Sequence, residues 1–240
     1  MNSRSGRGSS APQSYILVGC RPWNRRLFDE VVRKYEGEWH FIGSREELTS
    51  SSVRAMNPRF IFFLHWSWKV PDEIVSGFEC VCFHMTDVPY GRGGSPLQNL
   101  ILRGHSETKI SALRMTAEFD AGPVYCKEPM SLEGAAEDIY VRAGEIAARM
   151  IARIIREQIA PVPQTGETVI FKRRKPEQSN VAGLKSLSQL YDFIRMLDAE
   201  EYPRAFLEAG AFRFEFSRAQ RVVDRVVAQV TVTPIRRDNE

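Results

Sequence analysis

With 240 residues, 43% hydrophobic and 26% charged, the chain has the composition of an ordinary globular protein, long enough for one sizeable core and a small accessory unit. A formal net charge of +3 suits an anionic ligand and does not argue for nucleic acid. The four cysteines, Cys20, Cys80, Cys82 and Cys126, are too few and too irregularly spaced for a disulfide framework, so a cytoplasmic protein with reduced thiols is expected, and the longest aromatic-aliphatic run, 60–64 continuing to Trp68, is far too short to cross a bilayer.

Residues 1–14 are rich in Ser, Gly and Arg, lack the apolar centre of a signal peptide and read as a disordered arm. The run 15–19, ending in Gly19, predicts a first strand, followed by the turn Gly19-Cys20-Arg21-Pro22-Trp23-Asn24 and a helix on Leu27, Phe28, Val31 and Val32. Strands are predicted at 39–42 and 60–64, with a helix over 44–57 between them. Such βαβ alternation implies a parallel sheet covered by helices on both faces. Further on, the pattern predicts strands at 79–83 and 110–115, a helix starting at 97–103 and a long amphipathic helix over 137–158, stopped by Pro161-Val162-Pro163. Beyond a boundary near Gln164 the pattern changes to a strand at 168–172, a helix at 187–197 and strands at 212–216 and 222–232, which pair most simply as an antiparallel unit. The expected organisation is therefore an arm (1–14), a Rossmann-like α/β domain (15–164) and a small C-terminal α+β subdomain (165–240). Phe212, Phe214 and Phe216 alternate onto one strand face, and a homodimer is expected to cover it.

The chemistry concentrates in 82–126. Cys82-Phe83-His84 ends a strand, Pro89-Tyr90-Gly91-Arg92-Gly93-Gly94-Ser95-Pro96 forms a loop, and Asp120-Ala121-Gly122 is a second glycine-bounded turn. A histidine at a strand end with a carboxylate on a neighbouring turn is how an open parallel sheet assembles an acid–base pair. An unperturbed imidazole titrates near about 6.5 and so holds or releases a proton at working pH, while a carboxylate orients it. The glycines permit close backbone approach, although their spacing is neither a dinucleotide fingerprint nor a phosphate-binding loop. Cys80, Cys82 and His84 share one strand face, yet alternate strand positions are not a familiar zinc spacing, and no metal is expected. The run Lys172-Arg173-Arg174-Lys175 suits a solvated face as well as an anion site.

These motifs resemble the N10-formyltetrahydrofolate-dependent formyltransferases, in which a strand ends in Asn-x-His, a Pro/Gly loop follows and a second turn reads Asp-x-Gly. The resemblance runs in register over about 60–127, with a weaker echo in the C-terminal third. It implies N10-formyltetrahydrofolate as co-substrate, His84 as the proton-transfer group and Asp120 as its orienting carboxylate. Cys82 stands where the family has asparagine, either as a site-lining oxyanion group or as a buried strand cysteine. A thiol is a weak donor, so backbone N–H groups or a nearby amide such as Gln98 or Asn99 are expected to stabilise the oxyanion. The resemblance places Trp66 and Trp68, with Gly93 and Gly122, beside the folate, packing being the alternative for the tryptophans. Arg21, Trp23, Tyr90 and Arg92 are the substrate-side candidates, with packing again the alternative for Trp23. Lys172–Lys175 with Pro176-Glu177, Leu190-Tyr191-Asp192-Phe193-Ile194-Arg195 and Tyr202-Pro203-Arg204-Ala205-Phe206 resemble the branch acting on nucleotide-linked amino sugars. About seventy residues after the catalytic core leave little room for the further domain of enzymes that act on charged initiator tRNA. The expected substrate is therefore a nucleotide-linked amino-deoxy sugar for surface polysaccharide such as O-antigen, with no nucleic-acid or membrane partner. Another small amine, or folate and nucleotide binding without catalysis, are the alternatives.

Overall fold

In the computed structural model, which describes residues 12–235, the chain forms two compact units, Met1–Cys82 and Phe83–Glu240. The arm expected at 1–14 lies mostly outside the described residues, and Ser14 already opens the first strand.

The first unit alternates β1 (Ser14–Gly19), α1 (Pro22–Glu30), β2 (Glu38–Ile42), α2 (Ser50–Met56), β3 (Phe60–Leu64) and α3 (Asp72–Gly77), and it runs into β4 (Cys80–His84). The strands are parallel in the order β2-β1-β3-β4. All five residues of β3 are buried, as are the last five of β1, which is why both read as unbroken apolar runs rather than as alternating patterns. Pro22 opens α1 where a missing N–H costs nothing. The helix expected over 44–57 begins only at Ser50: Thr49 caps it by accepting from the Ser52 amide at 3.1 Å, while Ser52 Oγ turns back to the Thr49 and Glu47 carbonyls. Hydroxyl side chains that bond nearby backbone favour caps over helix interiors, and this serine-rich stretch follows that rule.

The second unit holds His84 at the end of β4, then β5 (Tyr90–Gly93), α4 (Pro96–Leu102), β6 (Glu107–Arg114), β7 (Val124–Ser131), α5 (Ala136–Glu157) and β8 (Val169–Phe171). It ends with α6 (Leu187–Arg195), β9 (Ala205–Ala209), β10 (Phe212–Val222) and β11 (Arg225–Pro234). β6 and β7 pair antiparallel, with Lys109 opposite Pro129, and α5 packs on both through Ile139, Ile146, Ile151 and Ile154. Pro129 hides β7 from a sequence reading because proline cannot donate to a ladder; β7 lies at a sheet edge, where that loss is tolerated. β5 pairs in parallel with β8, joining the glycine loop to the segment after α5.

The α/β class, with a mostly parallel sheet and a C-terminal antiparallel unit, is the one the chain adopts. That unit is a three-stranded sheet in the order β11-β10-β9, covered by α6. The strand expected to begin at Val222 is instead the end of β10, which turns at Val223-Asp224 into β11. A register shift between Ser217 and Gln220 accommodates Arg218 at φ +51°, whose N–H donates to Asp198 Oδ2 at 2.5 Å. Phe214 and Phe216 are partly buried, whereas Phe212 keeps half its surface exposed.

Candidate active site

β4 delivers His84 as its last residue, with 8% of its surface exposed. Its Nε2 lies 2.8 Å from the Gly91 carbonyl oxygen. A carbonyl only accepts, so Nε2 carries the hydrogen and donates it there. Thr86 Oγ1 donates to the same oxygen at 3.2 Å. The other ring nitrogen, Nδ1, stands 3.4 Å from Asp120 Oδ1.

Asp120 sits in the turn between β6 and β7 with left-handed backbone, φ +54°. Aspartate is among the side chains that tolerate this region, at a cost of about 1 kcal/mol. Its second oxygen accepts the Gly93 N–H at 2.9 Å, so one carboxylate faces the histidine and holds the glycine loop. Gly93 has φ +100°, and a Cβ there would lie 2.5 Å from the Phe171 carbonyl oxygen. At Gly122 a Cβ would fall 1.8 Å from the Arg114 carbonyl oxygen, so no side chain fits. Both glycines are therefore required by close backbone contacts.

Arg92 turns its guanidinium to Gln164, with Nε and Nη2 donating to Oε1 at 3.0 and 2.8 Å. The Gln164 amide nitrogen donates in turn to the Asp120 and Gly122 carbonyls, 2.8 Å each. Tyr90 places its hydroxyl 3.1 Å from His105 Nε2 and its ring edge-on to Phe171. Just before that loop, Asp87 takes Lys109 at 2.9 Å and Lys127 at 2.5 Å. Burial raises its carboxyl, but the two lysine hydrogen bonds and charges outweigh that and hold it below the usual carboxylate range.

The two amides suggested as oxyanion donors are engaged elsewhere. Gln98 Nε2 donates to the Tyr140 hydroxyl and the Met196 carbonyl at 3.1 and 3.0 Å. Asn99 Nδ2 donates to the carbonyls of Gly94, Ser95 and Lys172, each at 3.0 Å, and so ties the glycine loop to the segment after β8. Cys82 is half-buried two residues before His84. Among the described residues no group of three or more His, Cys, Asp or Glu side chains could hold a metal, and the Cys80 thiol points to the Ile74 carbonyl.

In the first unit, the remaining candidates gather around the ends of β1 and β3. Asn24, fully buried, accepts the Arg21 N–H at 3.1 Å through Oδ1. Its Nδ2 and Trp23 Nε1 both approach His65 Nδ1, at 3.1 and 3.2 Å. Two donors on one ring nitrogen require its lone pair, so His65 is neutral with its hydrogen on Nε2. Burial, helped by the charge of Arg21, holds this histidine down to about 4. Trp66 and Trp68 follow in a T-shaped pair with ring centres 4.9 Å apart; the buried Trp66 Nε1 has no hydrogen-bond partner among the described residues, while 43% of Trp68 is exposed.

The sequence reading singled out both members of the His84–Asp120 pair but missed Gln164, Asn24 and His65. An isolated glutamine after a Pro-Val-Pro run carries no local pattern, and its importance arises only from the carbonyls that the fold brings to it.

Comparison with known proteins gives one match to a family model, for the C-terminal domain of methionyl-tRNA formyltransferase, over residues 176–233. A solved structure titled methionyl-tRNA formyltransferase from Clostridium thermocellum is 43% identical, with a TM-score of 0.88 over 92% of this chain and 99% of that one. The methionyl-tRNA formyltransferase of Wolinella succinogenes is 26% identical over 171 residues, 69% of this chain and 55% of that protein, so the chain spans about half the length of this curated relative. A likely sugar N-formyltransferase from Mycobacterium tuberculosis shares the fold at a TM-score of 0.66 but only 13% identity. These findings overturn the expectation of a nucleotide-linked amino sugar, of a role in surface polysaccharide and of no nucleic-acid partner. That expectation took the C-terminal segment to be too short for the additional domain and its motifs to be those of the sugar branch. Residues 176–233, folded as α6 and β9–β11, are instead the stretch matched by the C-terminal-domain model. A small net charge was equally uninformative, because it sums the whole chain whereas recognition is local.

Proposed function

This chain belongs to the formyltransferase family that contains the methionyl-tRNA formyltransferases, and we propose that it transfers a formyl group from N10-formyltetrahydrofolate to the amine of methionyl-tRNA. The observation that carries this reading is the 43% identity across 99% of the Clostridium thermocellum chain of that name. The paired His84 and Asp120 supply the chemistry it needs.

Folate binding by the first unit is supported by the aromatic wall of the Trp66 and Trp68 rings and by the buried Trp66 indole N–H, which lacks an acceptor among the described residues and which a pterin can satisfy. The co-substrate supplies the formyl carbon and receives one proton at N10 when it leaves. Formyl transfer forms one bond, from the amine nitrogen to the formyl carbon, and breaks one, from that carbon to N10; the proton lost by the amine balances the proton gained by N10. His84 acts through Nε2 as an acid first, giving its hydrogen to the leaving N10 and then taking the amine's proton on the same, now bare, nitrogen, while Asp120 faces Nδ1 and stabilises the charged ring. In doing so the Nε2 hydrogen that now points to the Gly91 carbonyl turns to the leaving nitrogen. Cys82 lies on the same strand two residues before this histidine, and the protonated His84 ring, facing Asp120, supplies charge stabilisation for the oxyanion. Tyr90 and Arg92 flank the approach on the substrate side.

The test is incubation of the purified chain with N10-formyltetrahydrofolate and methionyl initiator tRNA, followed by deacylation and mass spectrometry of the released amino acid. Formylmethionine is expected from the charged tRNA and not from free methionine. Absence of formylmethionine from the charged tRNA overturns the reading.

A further inference from the structure

The side-chain amide of Gln164 uses all its polar capacity on groups that build the proposed site. Its oxygen accepts two N–H groups of Arg92, and its nitrogen donates to the carbonyls of Asp120 and Gly122. The turn it grips has unusual backbone: Asp120 is left-handed at φ +54°, and a Cβ at Gly122 would fall 1.8 Å from the Arg114 carbonyl oxygen. Backbone pairing fixes where Gln164 stands, because Val162 exchanges both of its hydrogen bonds with Val124 at 2.7 and 2.9 Å, just past that turn. Arg92 also approaches Glu118, earlier in the same turn, at 3.8 Å, but that carboxylate is exposed, and the glutamine is what ties Arg92 to the 120–122 carbonyls.

We propose that Gln164 is a positioning residue, which fixes Asp120 against His84 by bonding both carbonyls of the 120–122 turn and which registers Arg92 to the same turn. The consequence for catalysis rests on the formyl-transfer reading, whereas the consequence for geometry does not. An amide is required because the position must accept on one side and donate on the other. A carboxylate keeps the Arg92 contact yet sets negative charge against two carbonyl oxygens, and an aliphatic side chain loses both contacts.

The experiment compares Gln164→Glu, Gln164→Leu, Asp120→Asn and the double variant Gln164→Leu/Asp120→Asn with the wild-type chain, folding being checked by thermal melting. Both Gln164 variants are expected to lower kcat about tenfold while KM for methionyl-tRNA changes less than about twofold. In the Asp120→Asn background the Gln164→Leu change is expected to add less than about twofold, because it acts through a carboxylate already removed. A second readout needs no turnover. The Gly93 amide, bonded to Asp120 Oδ2, should exchange its hydrogen at least about fivefold faster in both single Gln164 variants, as followed by NMR. A Gln164→Glu protein with wild-type kcat and wild-type Gly93 exchange overturns the proposal, and so does an undiminished tenfold loss on top of Asp120→Asn. If the wild-type chain proves unable to formylate methionyl-tRNA, the functional reading falls and the Gly93 exchange rates alone decide the role of Gln164.

Discussion

Replacing Asp120 by asparagine changes one charge and almost no volume, which makes it the sharpest probe of the proposed proton-transfer pair. Asp120 Oδ1 faces His84 Nδ1 at 3.4 Å, and both side chains are largely buried, with 18% and 9% of their surfaces exposed. At an effective dielectric of about 20, two unit charges at that distance attract by about 5 kcal/mol, an upper bound before desolvation is subtracted. A hydrogen bond to a charged group retains a net value of about 2–3 kcal/mol. With asparagine, the oxygen goes on accepting from Gly93 at the Oδ2 position, and the amide nitrogen is turned toward Nδ1. It then donates to that ring nitrogen and opposes the protonated ring that formyl transfer requires. A loss of about 2–3 kcal/mol in the transition state lowers kcat about 30- to 150-fold, with KM for either substrate nearly unchanged. Single-turnover formation of formylmethionyl-tRNA measures the step directly, and thermal melting guards against unfolding. Near-wild-type turnover in a folded Asp120→Asn protein would refute the pairing, and with it the assignment of His84.

Two further perturbations probe other parts of the molecule. At Cys82, where the family places asparagine, Cys82→Asn should preserve or raise the formylation rate, and Cys82→Val should lower it less than about threefold; a collapse of turnover in a folded Cys82→Val protein would put the thiol among the essential donors. His65 predicts an acid limit: its folded value is down at about 4 against about 6.5 in an unfolded chain, so between these values the unfolded state binds the extra proton and stability rises with pH. The full effect is about 3 kcal/mol, complete above pH about 6.5 and lost by about 4. Urea melts from pH 4 to 7 should show that slope in the wild-type chain and a flatter one in His65→Gln, and identical slopes would contradict it.

What could be read from the sequence divides by the range of the interactions involved. Strands such as 15–19 and 60–64 are legible because burial on both faces demands continuous apolar side chains. His84 and Asp120 are legible for a different reason: glycines and a strand end punctuate the chain around them, and backbone constraints of that kind are written locally. β7 was hidden by Pro129, which an edge position accommodates. β5 and β9 escaped notice because each is short; β5 takes its stability from a partner far along the chain, Val169–Phe171, whereas β9 forms a hairpin with the neighbouring β10. Gln164 is the extreme case. Its four hydrogen bonds go to residues more than forty positions away, and no periodicity announces them.

The same distinction separates Cys82 from the loop around it. The site is assembled from backbone: a carbonyl of Gly91 on His84, an amide of Gly93 on Asp120 and carbonyls of the 120–122 turn on Gln164. At Gly91 a Cβ would lie 2.7 Å from Thr86 Cγ2 and 2.8 Å from the Phe171 ring, and at Gly94 it would lie 2.5 Å from Arg173 Cβ. Side chains at these positions would push apart the strands that bring His84 and Asp120 together, so the glycines set the geometry and the catalytic candidates occupy what it leaves. Position 82 supplies none of these contacts, so a thiol there leaves the frame intact. Activity in this architecture is therefore expected to be more sensitive to a methyl group added to the glycine loop than to the identity of residue 82.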